Sequence, residues 1–131
     1  MSVRTLYDVA VTVPFTAVSA LFCGAFEGGS NYWLHSADLV SCTIAPKKGL
    51  VWWGTDEVFS SDYTFKLGFD DPDEEGKIKE KTFSRQDVID ALHIMARRYP
   101  TAFGDVLAHD FDAEVADIFM QCLALGDVVY G

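Results

Sequence analysis

Basic residues are scarce in this chain and disappear towards its end. Ten Lys and Arg face 20 Asp and Glu, so the formal net charge is −10, and no Lys or Arg follows Arg98. A large charge of one sign repels nucleic-acid phosphates and anionic membranes and attracts basic surfaces. The composition therefore argues against direct binding to nucleic acid or to a membrane. It predicts a partner with a basic surface, such as a protein or a nucleoprotein complex.

Long apolar runs and paired cysteines are also lacking. No apolar run reaches the roughly 18–20 residues that span a bilayer, and residues 1–13 lack the apolar stretch of a signal peptide. The three cysteines, Cys23, Cys42 and Cys122, are widely spaced and form no C-x-x-C motif. This spacing predicts no disulfide framework and favours a reducing compartment. We therefore expect a cytoplasmic protein.

Motifs for catalysis, cofactors and metals are missing as well. The sequence has no G-x-S-x-G elbow, no P-loop and no G-x-G-x-x-G motif. The histidines, His35, His93 and His109, do not have the spacing of metal ligands. His93 lies beside the apolar stripe of a predicted helix and is interpreted as a partly buried structural residue. We expect no enzyme, no metal and no cofactor, although a site assembled from distant residues is still compatible with the sequence.

Apolar residues are abundant. Half of the residues are hydrophobic and 14% are aromatic, which is enough for a buried core in one domain over residues 1–131. The patterns predict helices over 14–27, 84–99, 101–108 and 112–126, and strands over 2–11, 31–42, 62–69 and 77–83. A left-handed glycine at 28–29 is expected to end the first helix. The predicted fold is α+β, an antiparallel sheet with three to four helices packed on it.

Acidic residues are concentrated first in a predicted hairpin turn. Five of them fall within six residues: Asp70, Asp71, Asp73, Glu74 and Glu75. Part of this turn matches a calcium-binding loop, but position 12 of such a loop would be Thr82 instead of the bidentate Glu. The turn is therefore interpreted as the acidic tip of a hairpin.

A second acidic group is predicted on the last helix. Asp110, Glu114, Asp117 and Gln121 follow helical spacing and would share one stripe. Such a row could imitate a run of DNA phosphates and occupy the basic channel of a nucleic-acid-binding target. Taken alone, each acidic group is better explained as a solvated surface that keeps the protein soluble.

Two neighbouring tryptophans are the candidate apolar anchor of such an interface. Trp52 and Trp53 lie in residues 49–59, a further candidate strand, in which one side chain would point inward and the other outward. An exposed aromatic residue supplies affinity, whereas surface charge mainly supplies association rate and specificity.

The string over residues 27–33, EGGSNYW, has two interpretations. Its two glycines can turn the chain from helix to strand, while Ser30 and Asn31 bond the backbone of the turn. Alternatively, Glu27, Asn31 and Tyr32 could line a small polar pocket.

The same string resembles one found in short, uncharacterised proteins of tailed bacteriophages. Those proteins also carry an Ala-Asp…Phe…Gln helix, matched here by residues 116–121, and a Gly-Asp/Glu-Val-Val-Tyr-Gly end, matched here by residues 126–131. Their central helix is similar to residues 84–100, and residues 36–76 have no counterpart. The resemblance implies a phage or prophage accessory protein that acts in the bacterial cytoplasm. Small acidic phage proteins of this kind resemble inhibitors of host systems, including anti-CRISPR proteins.

Together, these observations predict a small acidic phage-encoded binding protein. It would inhibit a host nucleic-acid-handling or defence complex by occupying a basic surface. The alternatives are a small enzyme or ligand-binding protein with a pocket at residues 27–33, and a structural or self-associating phage module, for example a homodimer.

Overall fold

A computed structural model describes residues 6–7 and 9–131 of the chain. In this part, the helices and strands are α1 (Phe15–Gly24), β1 (Leu34–Cys42), β2 (Tyr63–Asp70), β3 (Ile78–Ser84), α2 (Arg85–Arg98), α3 (Pro100–Leu107) and α4 (Ala113–Leu125). The predicted α+β fold, with helices on an antiparallel sheet, is confirmed. Among the described helices, none is both long and apolar enough to cross a membrane.

The three strands form one antiparallel sheet in the order β1-β2-β3. The central strand β2 alternates as the sequence predicts, and its aromatic and aliphatic residues at every second position are buried. Phe65 in β2 lies opposite Leu39 of β1 and Phe83 of β3. One face of the sheet therefore carries the apolar row that the helices cover.

The core is centred on Phe22 of α1. Its fully buried ring lies 5.3 Å from the ring of Phe65 in the sheet and 5.7 Å from that of Phe119 in α4. A third ring, that of Phe59, lies 4.8 Å away. These contacts hold α1 between the sheet, α4 and the segment before β2.

The first helix ends earlier and differently than predicted. α1 stops at Gly24 and is followed by a π-helical turn, Ala25–Gly29. The expected left-handed glycine is wrong, because Gly28 has an extended φ of 163°. The glycine at position 29 serves a different need: a Cβ there would lie 2.4 Å from the carbonyl oxygen of Ala113. The turn is thus pressed against the start of α4.

Two predicted strands also need correction. Residues 49–59 form two 3₁₀ turns, Trp52–Gly54 and Asp56–Ser60, in place of the candidate strand. The predicted strand over 2–11 lies partly outside the described residues, and its described members, 6–7 and 9–11, are not in a strand. β1 begins at Leu34, because residues 31–33 complete the turn that follows α1.

Helix ends follow the local signals in the sequence. Ser84 and Asp87 form a capping box at the start of α2, and the side chain of Asp112 accepts a hydrogen bond from the Val115 N–H at 3.1 Å. Gly126, with a φ of 79°, ends α4 in the left-handed conformation.

Candidate functional site

The carboxylate of Asp117 in α4 joins two distant parts of the chain. Its Oδ1 accepts hydrogen bonds from Ser30 Oγ and Trp33 Nε1, each at 2.8 Å. Its Oδ2 accepts from the Tyr32 hydroxyl at 2.6 Å and from Gln121 Nε2 at 3.0 Å. An ionised carboxylate has about four acceptor positions, so these donors use all of them. We call these five residues the corner–helix network.

Gln121 extends the network to the C-terminal tail. Its Nε2 lies 3.1 Å from the carbonyl oxygen of Tyr130, and its Oε1 accepts from the N–H groups of Val129 and Tyr130 at 2.8 Å each. Tyr130 also stacks on Trp33, with ring centroids 6.0 Å apart. The side chain of Gln121 thus fixes the backbone of residues 129–130 against α4.

The network brings together the three strings on which the phage resemblance rests. Residues 27–33, 116–121 and 126–131 meet at Asp117 and Gln121, although the residues that bond to Asp117 from the turn lie 84–87 positions away in the sequence. Sequence reasoning missed this contact. The available signal was the spacing of Asp117 and Gln121, one helical turn apart beside a Tyr-Trp pair.

The predicted acidic stripe on α4 is only partly exposed. Asp110 and Glu114 are exposed, but Asp117 and Gln121 retain 9% and 1% of their accessible surface. The prediction of an exposed stripe is therefore wrong for these two residues. Helical spacing correctly placed the residues on one side of α4, but it gave no sign that the turn after α1 and the tail cover half of that side.

A cleft of about 480 Å³ borders the network. Tyr32, Glu114, Asp117, Ile118 and Tyr130 line it together with the backbone of the turn and tail. Burial, followed by the hydrogen bond to Asp117 and its charge, raises the pKa of the Tyr32 hydroxyl to about 12. The hydroxyl is therefore a stable donor to Asp117 at neutral pH.

The cleft contains only one of the three residues that were predicted to line a pocket at residues 27–33. Tyr32 lines the cleft, whereas Glu27 and Asn31 are exposed and lie outside its lining. Glu27 instead accepts a hydrogen bond from Trp53 Nε1 at 3.2 Å.

The predicted acidic hairpin tip is present between β2 and β3. Asp73, Glu74 and Glu75 are exposed, and Asp71 accepts a hydrogen bond from the Asp73 N–H at 2.9 Å. Gly76 completes the turn with a φ of 80°. In the described ranges, no three His, Cys, Asp or Glu side chains are arranged to hold a metal ion.

The hairpin tip and the cleft adjoin each other through Tyr130. Its hydroxyl donates to the carbonyl oxygen of Asp70, where the hairpin leaves β2, at 3.4 Å. Burial raises the pKa of Tyr130, and the nearby carboxylates of Asp70, Asp71 and Asp73 raise it further. Tyr130 therefore lies between the base of the hairpin tip and the cleft that Glu114 lines.

The two tryptophans are half-buried and bonded within the chain. Trp52 Nε1 donates to the Ala37 carbonyl oxygen at 3.1 Å, and both indole rings pack edge-on against Phe26. Both indole N–H groups therefore donate hydrogen bonds within the chain, that of Trp52 to Ala37 and that of Trp53 to Glu27. Any contact with a partner would involve the remaining exposed part of the rings.

The three thiols and His93 do not line the cleft. Burial raises the pKa of the Cys23 and Cys122 thiols to about 11 each, with nearby carboxylates adding to the shift, so both are protonated at neutral pH. Cys42 is half-buried. His93 is exposed, which corrects its interpretation as a partly buried residue.

Comparison of the chain with protein-family models, with curated proteins and with solved structures finds no match.

Proposed function

We propose that the protein is a binding protein that docks on a basic surface of a host nucleic-acid-handling or defence complex and blocks access of nucleic acid. The supporting observation is a set of exposed or half-exposed carboxylates that form no ion pair in the described part of the chain. We call this set the acidic surface: Asp71, Asp73, Glu74, Glu75, Asp110 and Glu114.

Other exposed carboxylates, such as Glu57 and Asp62, also form no ion pair with the described residues, so this set is distinguished by its clustering at the hairpin tip and around the start of α4. The ion pairs found among residues 6–7 and 9–131 are His35–Asp70, Lys66–Glu80 and Arg98–Asp127. Carboxylates without such partners keep their field available to an approaching basic partner, which raises the association rate and makes it sensitive to salt.

Exposed apolar side chains beside the acidic surface are candidates for its anchor. Tyr32, Ile78 and Val129 have exposed fractions of 54%, 55% and 51%. Ile78 lies opposite Asp70 in the sheet register, and Val129 precedes Tyr130. Because surface charge contributes more to rate than to affinity, we propose that these side chains supply the desolvated contact. Trp52 and Trp53 remain a second candidate anchor.

The test is capture of partners from a bacterial lysate with the full chain as bait. We expect a nucleic-acid-binding protein that is retained at low salt, released at high salt, and unable to bind its nucleic acid when the bait is present. Reversal of two charges at the hairpin tip, Asp73→Lys with Glu74→Lys, should reduce capture, as should Asp110→Lys with Glu114→Lys.

A matched control places the same charge change elsewhere. Glu57 and Asp62 are exposed and precede β2, at the end of the strand opposite the hairpin tip. The Glu57→Lys, Asp62→Lys variant should retain capture. Equal losses in all three variants would contradict a localised acidic surface. Self-association that persists at high salt would favour the structural or self-associating alternative.

A further inference from the structure

A buried negative charge without a counter-ion lies at the cleft. The four donors to Asp117 are neutral groups, and the ion pairs of the described residues include neither Asp117 nor Glu114. Glu114 precedes Asp117 by three residues and lies on the same side of α4. Both line the cleft, which is therefore electronegative.

The walls of the cleft suit a cation that carries an apolar stem. Tyr32 and Tyr130 line the cleft, and the faces of aromatic rings attract cations. Ile118 and Val128 supply apolar wall against which methylene groups can pack. The volume, about 480 Å³, lies within the roughly 300–1,000 Å³ typical of ligand sites.

We infer that this cleft receives a guanidinium group, carried by an arginine side chain on the basic surface of the partner. The inference rests on the proposed function and specifies its contact. The guanidinium donates to the Glu114 carboxylate, and Asp117 attracts it by charge alone, because the acceptor positions of Asp117 are already used. A planar guanidinium also stacks on tyrosine rings, which the compact ammonium of lysine does less well.

The experiment is a titration of the isotopically labelled full chain with Nα-acetyl-arginine amide at low ionic strength, followed by amide NMR shifts. We expect saturable shifts at Tyr32, Glu114 and Tyr130. The matched ligand is Nα-acetyl-citrulline amide, which has nearly the same shape without the charge, and it should not produce them.

Two variants test the role of Glu114. Glu114→Gln should weaken binding of the arginine compound roughly two- to fivefold, as expected for an exposed charge pair. Glu57→Gln removes the same charge from an exposed position that does not line the cleft and should leave the affinity unchanged.

Several outcomes would overturn the inference: no saturable shifts at the cleft, equal shifts with the citrulline compound, equal affinity for Nα-acetyl-lysine amide, or equal effects of the two variants. Because the titration needs no partner, its failure would leave the acidic-surface proposal intact. Binding of the arginine compound together with failure of partner capture would overturn the proposed function and leave the guanidinium site.

Discussion

The side-chain amide of Gln121 both donates to the carbonyl oxygen of Tyr130 and accepts from its N–H, at 3.1 and 2.8 Å. A residue in a neighbouring β-strand would provide the same pair of hydrogen bonds, one to the carbonyl oxygen and one from the N–H. The C-terminal tail is thus held by a helix side chain, and this arrangement places Tyr130 between the cleft and the hairpin tip.

Replacing Gln121 should detach the tail. Gln121→Leu places an apolar side chain of similar size on α4 and leaves the N–H groups of Val129 and Tyr130 and one acceptor of Asp117 without their partner. We expect a loss of about 2–4 kcal/mol in the free energy of unfolding, measured by urea denaturation. Gln86→Leu, at an exposed position of α2, is the control and should change stability by less than about 0.5 kcal/mol.

Asp117→Asn should destabilise the fold despite its nearly identical shape. The asparagine NH₂ would face hydrogen-bond donors on whichever side it occupies, since both carboxylate oxygens accept from the network. We expect a loss of about 2–3 kcal/mol by urea denaturation. Asp110→Asn makes the same chemical change at an exposed position. Similar stability of both variants would contradict the role assigned to Asp117.

The two glycines of the turn after α1 should differ in their sensitivity to substitution. Gly29→Ala forces a Cβ against the Ala113 backbone and should cost about 1–3 kcal/mol. Gly28→Ala meets no atom within 4 Å and has an extended φ, so its effect should stay within about 0.5 kcal/mol. Thermal unfolding of the two variants distinguishes these effects. Equal destabilisation would show that the close approach to α4 is not what requires glycine.

Asp127 should contribute to acid sensitivity. Its pKa lies below the usual value, chiefly because the Tyr99 hydroxyl and the Val128 N–H donate to it, with a further contribution from Arg98. A depressed folded-state pKa gives stability that is present above the unfolded pKa and lost as pH falls through the folded pKa. Asp127→Asn should therefore reduce the decline in stability below about pH 4. An unchanged decline would contradict this contribution.

Local patterns predicted most of the secondary structure but little of the site. The alternation of β2, the Ser84 capping box and the glycine after α4 are local signals, and the structure contains each of them. The strand expected at Trp52 and Trp53 is wrong, since a short apolar run does not distinguish a strand from a turn whose rings pack on the core.

The site depends on contacts that no local pattern encodes. Asp117 lies at helical spacing from Glu114 and would be a surface charge on an isolated helix. It is buried because the turn after α1 and the C-terminal tail cover it. Its partners Ser30 and Trp33 lie more than 80 positions away. Sequence spacing indicates which residues share a helix face, whereas burial depends on what the rest of the chain places on that face.

The hydrogen bonds from the backbone amides of Val129 and Tyr130 to Gln121 also limit when these amides can exchange hydrogen with solvent. These residues belong to no helix or strand, so in an ordinary tail their amides would exchange rapidly. Their acceptor belongs to α4, and α4 is joined through Asp117 to the turn that follows α1. Opening of the tail therefore requires rupture of its hydrogen bonds to Gln121 and of the stacking of Tyr130 on Trp33, and slow exchange at 129–130 would show that the tail stays docked on α4.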